Sequence, residues 1–267
     1  MKHKIAQAVS IVIPVYNDAE HLRRCLQSIQ KQIVLPKEVI VVDNNCTDDS
    51  VSVAKEYSFV RVVEEPKQGI VYARNRGFDS VKSDIIARID ADTRLPANWV
   101  ERVDRFYKND INQDRLLTGG GYFYNVAFKK FNAWVYGQIA YRMNRLLMGH
   151  YITWGANMAL PKKVWQEIRD EVCLRNDIHE DLDLAIHAHR NGYQISYHET
   201  LRAGVKMRRV FNNFKALWPN LMLWPRTLRV HGLKTWVIGF MGAAVLWSLA
   251  FIPWSAELIR RLYRRVS

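Results

Sequence analysis

Short, almost continuously apolar runs alternate with amphipathic stretches along the first 108 residues. The runs 10–16 (SIVIPVY), 38–43 (EVIVVD), 60–63 and 84–89 (DIIARI) predict strands covered on both faces. Between the first two, Leu22, Leu26 and Ile29 fall at helical spacing and predict a helix over 19–31. Further helices are predicted over 48–57, with Thr47 or Asp48 as N-cap, over 69–80 and over 98–108. This alternation is that of a doubly wound, mostly parallel α/β sheet with helices on both faces. Past residue 115 the rhythm changes. A strand over 116–124 contains three consecutive glycines, an amphipathic aromatic stretch follows over 131–147, and a short strand over 154–160 leads into a helix from Pro161. A helix over 180–191 and a strand over 193–197 follow. With no internal repeat and no linker, one catalytic domain is expected over 1–200, with a tail over 201–267.

The tail has its own pattern. Residues 236–254 (WVIGFMGAAVLWSLAFIPW) carry no charge, and as a helix they would reach about 28 Å, near the thickness of a bilayer's hydrocarbon core. Tryptophan stands at both ends, Lys234 precedes the stretch, and Arg260, Arg261, Arg264 and Arg265 follow it. From Leu201 onward there are twelve Lys or Arg against one acid, Glu257, so most of the formal net charge of +13 lies there, as do five of the nine tryptophans. Basic residues mixed with tryptophan point to a membrane surface, and no nucleic-acid partner is expected. Cations flank the apolar stretch on both sides, so they do not choose between a spanning and an in-plane helix. Residues 211–224 read as interfacial, with Pro219 as a break. The N-terminal apolar run is too short for a signal peptide, which places the body at the cytoplasmic face of the membrane.

Composition narrows the chemistry. With 49% apolar and 24% charged residues, 267 residues build a substantial core. Three scattered cysteines exclude a disulfide scaffold and a cysteine zinc site, and fit a reducing compartment. Neither G-x-x-x-x-G-K-[ST] nor a strand-linked G-x-G-x-x-G occurs, which disfavours P-loop kinases and dinucleotide oxidoreductases. In an open α/β sheet, ligands sit outside the carboxyl ends of the strands. Three polar clusters follow predicted strands: Tyr16-Asn17-Asp18, Asp43-Asn44-Asn45 and Asp90-Ala91-Asp92. The last pair offers oxygen ligands suited to Mg²⁺ or Mn²⁺ holding substrate phosphates; the alternative is a turn that caps the next helix. Asp43 is placed to meet a ribose or base, or else to cap a helix, and Tyr16 to stack on a base, or else to fill the core. Glu180-Asp181-x-Asp183 opens a helix, where acids favour the dipole or where one serves as a general base.

Six segments in order then resemble family 2 glycosyltransferases of the GT-A fold: IVIPVYND (11–18), VIVVDNNCTDDS (39–50), QGIVYARNRGF (68–78), IARIDADTRLPANWV (86–100), GANMALPKKVW (155–165) and HEDLDLAIHAHRNGY (179–193). The resemblance implies inverting transfer of a sugar from a nucleotide-diphosphate donor, expected to be a UDP-sugar, to a hydroxyl of a glycan or lipid-linked acceptor. It implies that Pro14, Tyr16 and Asp18 line the base pocket and that Asp43 contacts the uracil or ribose. Arg74 supports the donor site, and Asp90 and Asp92 serve the ribose and a divalent metal. Gly155, Ala156 and Asn157 wall the transferred sugar. Asp181 is the implied base, with Glu180 orienting the acceptor. Arg208 and Arg209 resemble a basic segment that covers the diphosphate in some members, and His198 is a further candidate for the metal shell. Asp18 departs from the family, where Glu is more usual. Rival readings are a polyprenyl-phosphate sugar transferase, a nucleotidyltransferase without its usual glycine-rich basic loop, and a non-catalytic basic binding protein, which leaves the acids at three strand ends unexplained.

Overall fold

The computed structural model describes residues 4–125, 141–206 and 214–244. It divides the chain into two compact units, residues 1–176 with 180–206, and residues 177–179 with 207–267.

The first unit is built on a seven-stranded sheet in the order β3-β2-β1-β4-β6-β5-β7. The strands are β1 (Lys4–Val15), β2 (Val34–Asp43), β3 (Val60–Glu64), β4 (Ile85–Arg88), β5 (Leu116–Phe123), β6 (Met158–Pro161) and β7 (Ile195–Val205). β1 pairs in parallel with β2 and β4, β2 with β3, and β5 with β7. Only β6 runs the other way, antiparallel to both β4 and β5. The sheet is therefore mixed.

Alternation along the strands explains the apolar runs. Ile11, Ile13, Val39 and Val41 enter one core with Leu22, Leu26 and Ile29 of α1 (Ala19–Gln30) and Trp99 and Val103 of α4 (Trp99–Tyr107). Val12, Ile40 and Val42 enter the opposite core. There they meet Phe78 of α3 (Ile70–Ser80), Trp165 of α6 (Lys162–Ile168), and Leu184 and Ala185 of α7 (Glu180–Arg190). Among the described residues, the remaining α-helices of this unit are the short α2 (Ser50–Lys55) and α5 (Asn144–Met148). Gly77 lets α3 approach closely: a Cβ there would lie 2.3 Å from Val12 Cγ1 and 2.9 Å from Val42 Cγ2.

Several expectations shift. β1 and β2 begin earlier than predicted, because Lys4, Ile5 and Ala6 pair with Val34, Leu35 and Pro36 across a register shift. The strand expected over 154–160 starts only at Met158, because residues 155–157 form a turn. β7 runs to Val205, straight through the expected boundary at 200/201, since Gly121 to Phe123 still need partners at Ala203 to Val205. Most of the stretch expected over 131–147 lies outside the described residues.

In the second unit, α8 (Phe214–Val230) carries through both Pro219 and Pro225, although Pro219 was expected to break it. Residues 236–244 form another helix. The Trp224 ring lies against Gly239, where a Cβ would come within 2.3 Å, and Trp218 meets Phe240 edge-on at 6.1 Å. This packing offsets the hydrogen bonds that the prolines cannot make. Thr227 Oγ1 accepts the His179 amide at 2.8 Å and donates to the Leu223 carbonyl at 2.7 Å, tying residues 177–179 to α8. Among the described residues no helix is long and apolar enough to cross a membrane. Residues 245–254 of the predicted apolar helix lie outside the described residues.

Candidate active site

Register brings the strand ends to one level. Val15 pairs with Asp43 and Val12 with Arg88, so the loops after β1, β2 and β4 leave the same edge of the sheet. β6 is antiparallel, so the turn that precedes it opens at that edge too.

In the first loop Tyr16 is exposed (56%), as stacking on a ligand requires. Pro14 is buried within β1, paired with Val42, so it supports the loop rather than lining a pocket. Asn17, at a positive φ of 49°, accepts the Thr47 amide at 2.7 Å through Oδ1. The contacts of Asp18 point inward. Its Oδ1 lies 2.6 Å from His21 Nδ1, and His21 Nε2 lies 3.0 Å from Lys206 Nζ. Lysine can only donate, so His21 accepts at Nε2 and donates from Nδ1 to Asp18. Asp43, half-buried, accepts the Cys46 amide at 2.8 Å and shapes its own turn. Asn44, which the sequence offers only as a member of the polar cluster 43–45, is buried. It donates to the Glu65 and Lys67 carbonyls at 2.9 and 2.8 Å and accepts the Gly69 amide at 2.9 Å, stapling the loop before α3 to the site edge.

The acids converge on a residue that the sequence did not single out. Arg88, the last residue of β4, is 1% exposed. Its Nη1 donates to Asp181 Oδ1, and its Nη2 lies 3.0 Å from Glu180 Oε1 and 3.3 Å from Asp90 Oδ1. The other Asp181 oxygen accepts the Gly155 amide at 2.7 Å, and Thr153 Oγ1 donates to the Asp181 carbonyl at 2.6 Å. Arg74 is wholly buried: Nη1 donates to the Glu180 carbonyl at 2.7 Å, while Nε and Nη2 donate to Asn75. It braces the start of α7 from behind, and burial followed by the nearby Arg88 draws its pKa down. The signal for Arg88 was present in DIIARI, since a cation inside a buried strand must find partners.

The 90–93 turn is closed by the Asp90 amide donating to Thr93 Oγ1 at 3.1 Å and the Thr93 amide to the Asp90 carbonyl at 3.0 Å. Desolvation is the main force on the Asp90 carboxyl. Arg88 opposes it and Asp181, Asp92 and Glu180 add to it, so the pKa is pushed up to about 6. Even so, 42% of the side chain is accessible. Carboxylates crowded to that extent, in an all-oxygen set with Asp92, fit Mg²⁺ or Mn²⁺.

Other expected site residues lie elsewhere. Asn157 is buried: its Oδ1 accepts Trp99 Nε1 at 2.8 Å, and its Nδ2 donates to the Gly120 and Leu201 carbonyls at 2.8 and 2.7 Å. It brackets β5 and β7, and its side chain is committed to these partners. Ala156 is buried beside it. Asp183 turns away to accept the Cys173 amide at 3.0 Å. His198 packs edge-on against Phe106 at 5.1 Å, and desolvation lowers its pKa. Arg208 and Arg209 lie outside the described residues.

Comparisons with known proteins address the same region. The family model for glycosyl transferase family 2 matches residues 10–169. The glycosyltransferase AglE of Haloferax volcanii is 36% identical over 102 residues, 35% of this chain and 33% of that protein. A cholesterol galactosyltransferase of Borreliella burgdorferi is 26% identical over 185 residues, 64% of this chain and 51% of its own length. The chain thus spans a third to a half of these relatives. Among solved structures, the Pyrobaculum calidifontis mannosyltransferase in complex with GDP-Man and Mn²⁺ superposes with a TM-score of 0.63 at 15% identity, over 97% of this chain and 81% of that one. S. aureus TarS 1-349 in complex with UDP-GlcNAc superposes with a TM-score of 0.57 at 14% identity, over 80% and 66%. The likeness is one of fold, and the profile that matches well over half of the residues identifies the chain as a member of glycosyl transferase family 2.

Proposed function

We propose that this protein transfers a sugar, with inversion, from a nucleotide-diphosphate sugar to a hydroxyl of a glycan or lipid-linked acceptor. The observation that carries the reading is the meeting of Asp90, Glu180 and Asp181 on the Arg88 guanidinium, at the sheet edge where Asp92 also lies. Asp90 and Asp92 would hold a divalent cation, which supplies positive charge to the diphosphate as it leaves. Tyr16 offers a face for the base. Asp181 takes the proton of the acceptor hydroxyl while that oxygen bonds to the anomeric carbon and the bond to the diphosphate breaks. Arg88 and the Gly155 amide each hold one Asp181 oxygen, which fixes the direction of the carboxylate. Glu180, beside it, would orient the acceptor.

Relatives and neighbours frame the substrates. Two neighbours carry GDP-Man and UDP-GlcNAc, and one relative is named for a sterol acceptor. A UDP-sugar is our first expectation, and a lipid hydroxyl belongs among the acceptors to be tried. We place the protein at the cytoplasmic face of a membrane. Exposed Val237, Ile238, Phe240 and Met241, with the exposed cations Arg226, Arg229 and Lys234, support this. The test is a screen of UDP-, GDP- and TDP-sugars with Mg²⁺ or Mn²⁺, using membranes as the acceptor source, run beside Asp181→Asn. The variant should keep nucleotide binding and lose about 10²–10⁴ in rate. Wild-type turnover by Asp181→Asn would remove it as the base.

A further inference from the structure

We propose that Arg88 is a positioning residue whose planar fork sets the working geometry of Asp181, Glu180 and Asp90, and that position 155 must be glycine because the Arg88 guanidinium fills the space of its side chain. The kinetic half of this rests on the sugar-transfer reading above, while the network can be tested without it.

Arg88 sits between Ala87 and Ile89, neither of which is exposed, so its charge has no route to water along its own strand. Burying such a group is costly unless its donors find acceptors; Nη1 and Nη2 do and Nε does not, and a buried ion pair is often no more stable than apolar residues of the same size. Stability alone is therefore a poor reason for the arrangement. Geometry is a better one. Asp181 is 93 positions away in the chain, and its carboxylate is held at both oxygens, by Nη1 of Arg88 and by the Gly155 amide. Two fixed points set the plane and rotamer of the group. Nη2 spans Glu180 and Asp90, so the same planar cation links the implied base to the implied cation ligand. A lysine ammonium is a single charged point and cannot serve three carboxylates in that fork.

Gly155 completes the device. A Cβ there would lie 2.5 Å from Arg88 Cζ and 2.7 Å from each terminal nitrogen. Gly155 is not one of the glycines at positive φ, so the requirement is space and not backbone freedom. One residue therefore gives its amide to Asp181 and its empty side-chain position to Arg88.

Arg88→Lys alters the fork and keeps the charge; Gly155→Ala displaces the fork and keeps every charged group. In the full-length protein both should lower kcat by about 10²-fold, the cost of a misplacement near 1 Å. Donor KM and nucleotide affinity, the latter read by calorimetry, both at saturating Mn²⁺, should stay within about threefold. The double variant should be no worse than either single one, because both remove the same arrangement. Hydrogen exchange reads the network without activity: the Gly155 amide should be protected in the wild type and lose protection in Arg88→Lys. The assignment is overturned by an unprotected wild-type amide, by unchanged kcat in either variant, by kcat and melting temperature falling in step with nucleotide affinity, or by both variants failing to fold. A protected amide in a wild type that transfers no sugar would overturn the transfer reading alone and leave the network in place.

Discussion

Asp90 shows how a residue's surroundings decide its chemistry. An isolated aspartate titrates near 3.8, whereas this carboxyl is pushed up to about 6 by desolvation and neighbouring acids, against the pull of Arg88. The sign follows from linkage. The folded protein without bound metal holds this proton more tightly than the unfolded chain does. The group's contribution to stability is therefore present at low pH and is lost as pH rises towards 6. A divalent cation reverses that loss but must displace the proton to bind. Mn²⁺ should thus raise the melting temperature at pH 7.5 and have little effect at pH 5. An equal rise at both pH values would remove Asp90 from the cation site. The acids themselves were legible as D-x-D and E-D-x-D. Their counter-ion was not, because nothing local pairs Arg88 with a residue 93 positions away.

Elements place these residues, and the fit between elements is tight. α3 lies on β1 and β2 through Gly77, where an added methyl would meet two buried valines. Helix propensity favours Gly77→Ala by about 1 kcal/mol. Overpacking a closed core costs about 1–3 kcal/mol, so the net effect should be destabilising. Urea unfolding checks it, and a higher midpoint in the variant would mean that the helix has slack to move. Strand–helix alternation made β1 to β4 and α1 to α4 readable, since each run matches one period. The turn at 155–157 was read as strand because it runs directly into the apolar residues that begin at Met158. Its path is set by hydrogen bonds from Gly155 and Asn157 to distant partners, which no local pattern records.

At the scale of the whole molecule, charge is the clearest feature. Residues 214–244 of the second unit contain no Asp or Glu, and Lys215, Arg226, Arg229 and Lys234 lie within them. Exposed Val237, Ile238, Phe240 and Met241 add an apolar surface. The full-length protein should therefore sediment with vesicles containing anionic lipid at low ionic strength and be released, in part, as salt screens the attraction. Equal binding to neutral vesicles at every salt concentration would assign the contact to the apolar residues alone. An absence of binding to either would remove the membrane location.

The one-dimensional pattern was sufficient for the alternation of strands and helices, the sheet edge at which the polar clusters meet, the order of motifs that marks the family, and the acids that gather there. Each of these depends on spacing within a few residues, which the chain records directly. The tertiary structure alone decided that β6 runs against its neighbours, that β7 continues past residue 200, that Asn157 is spent on strand carbonyls, and that Arg88 joins three acids. Those depend on register between strands and on what fills the space beside a buried side chain, and both are properties of the folded sheet.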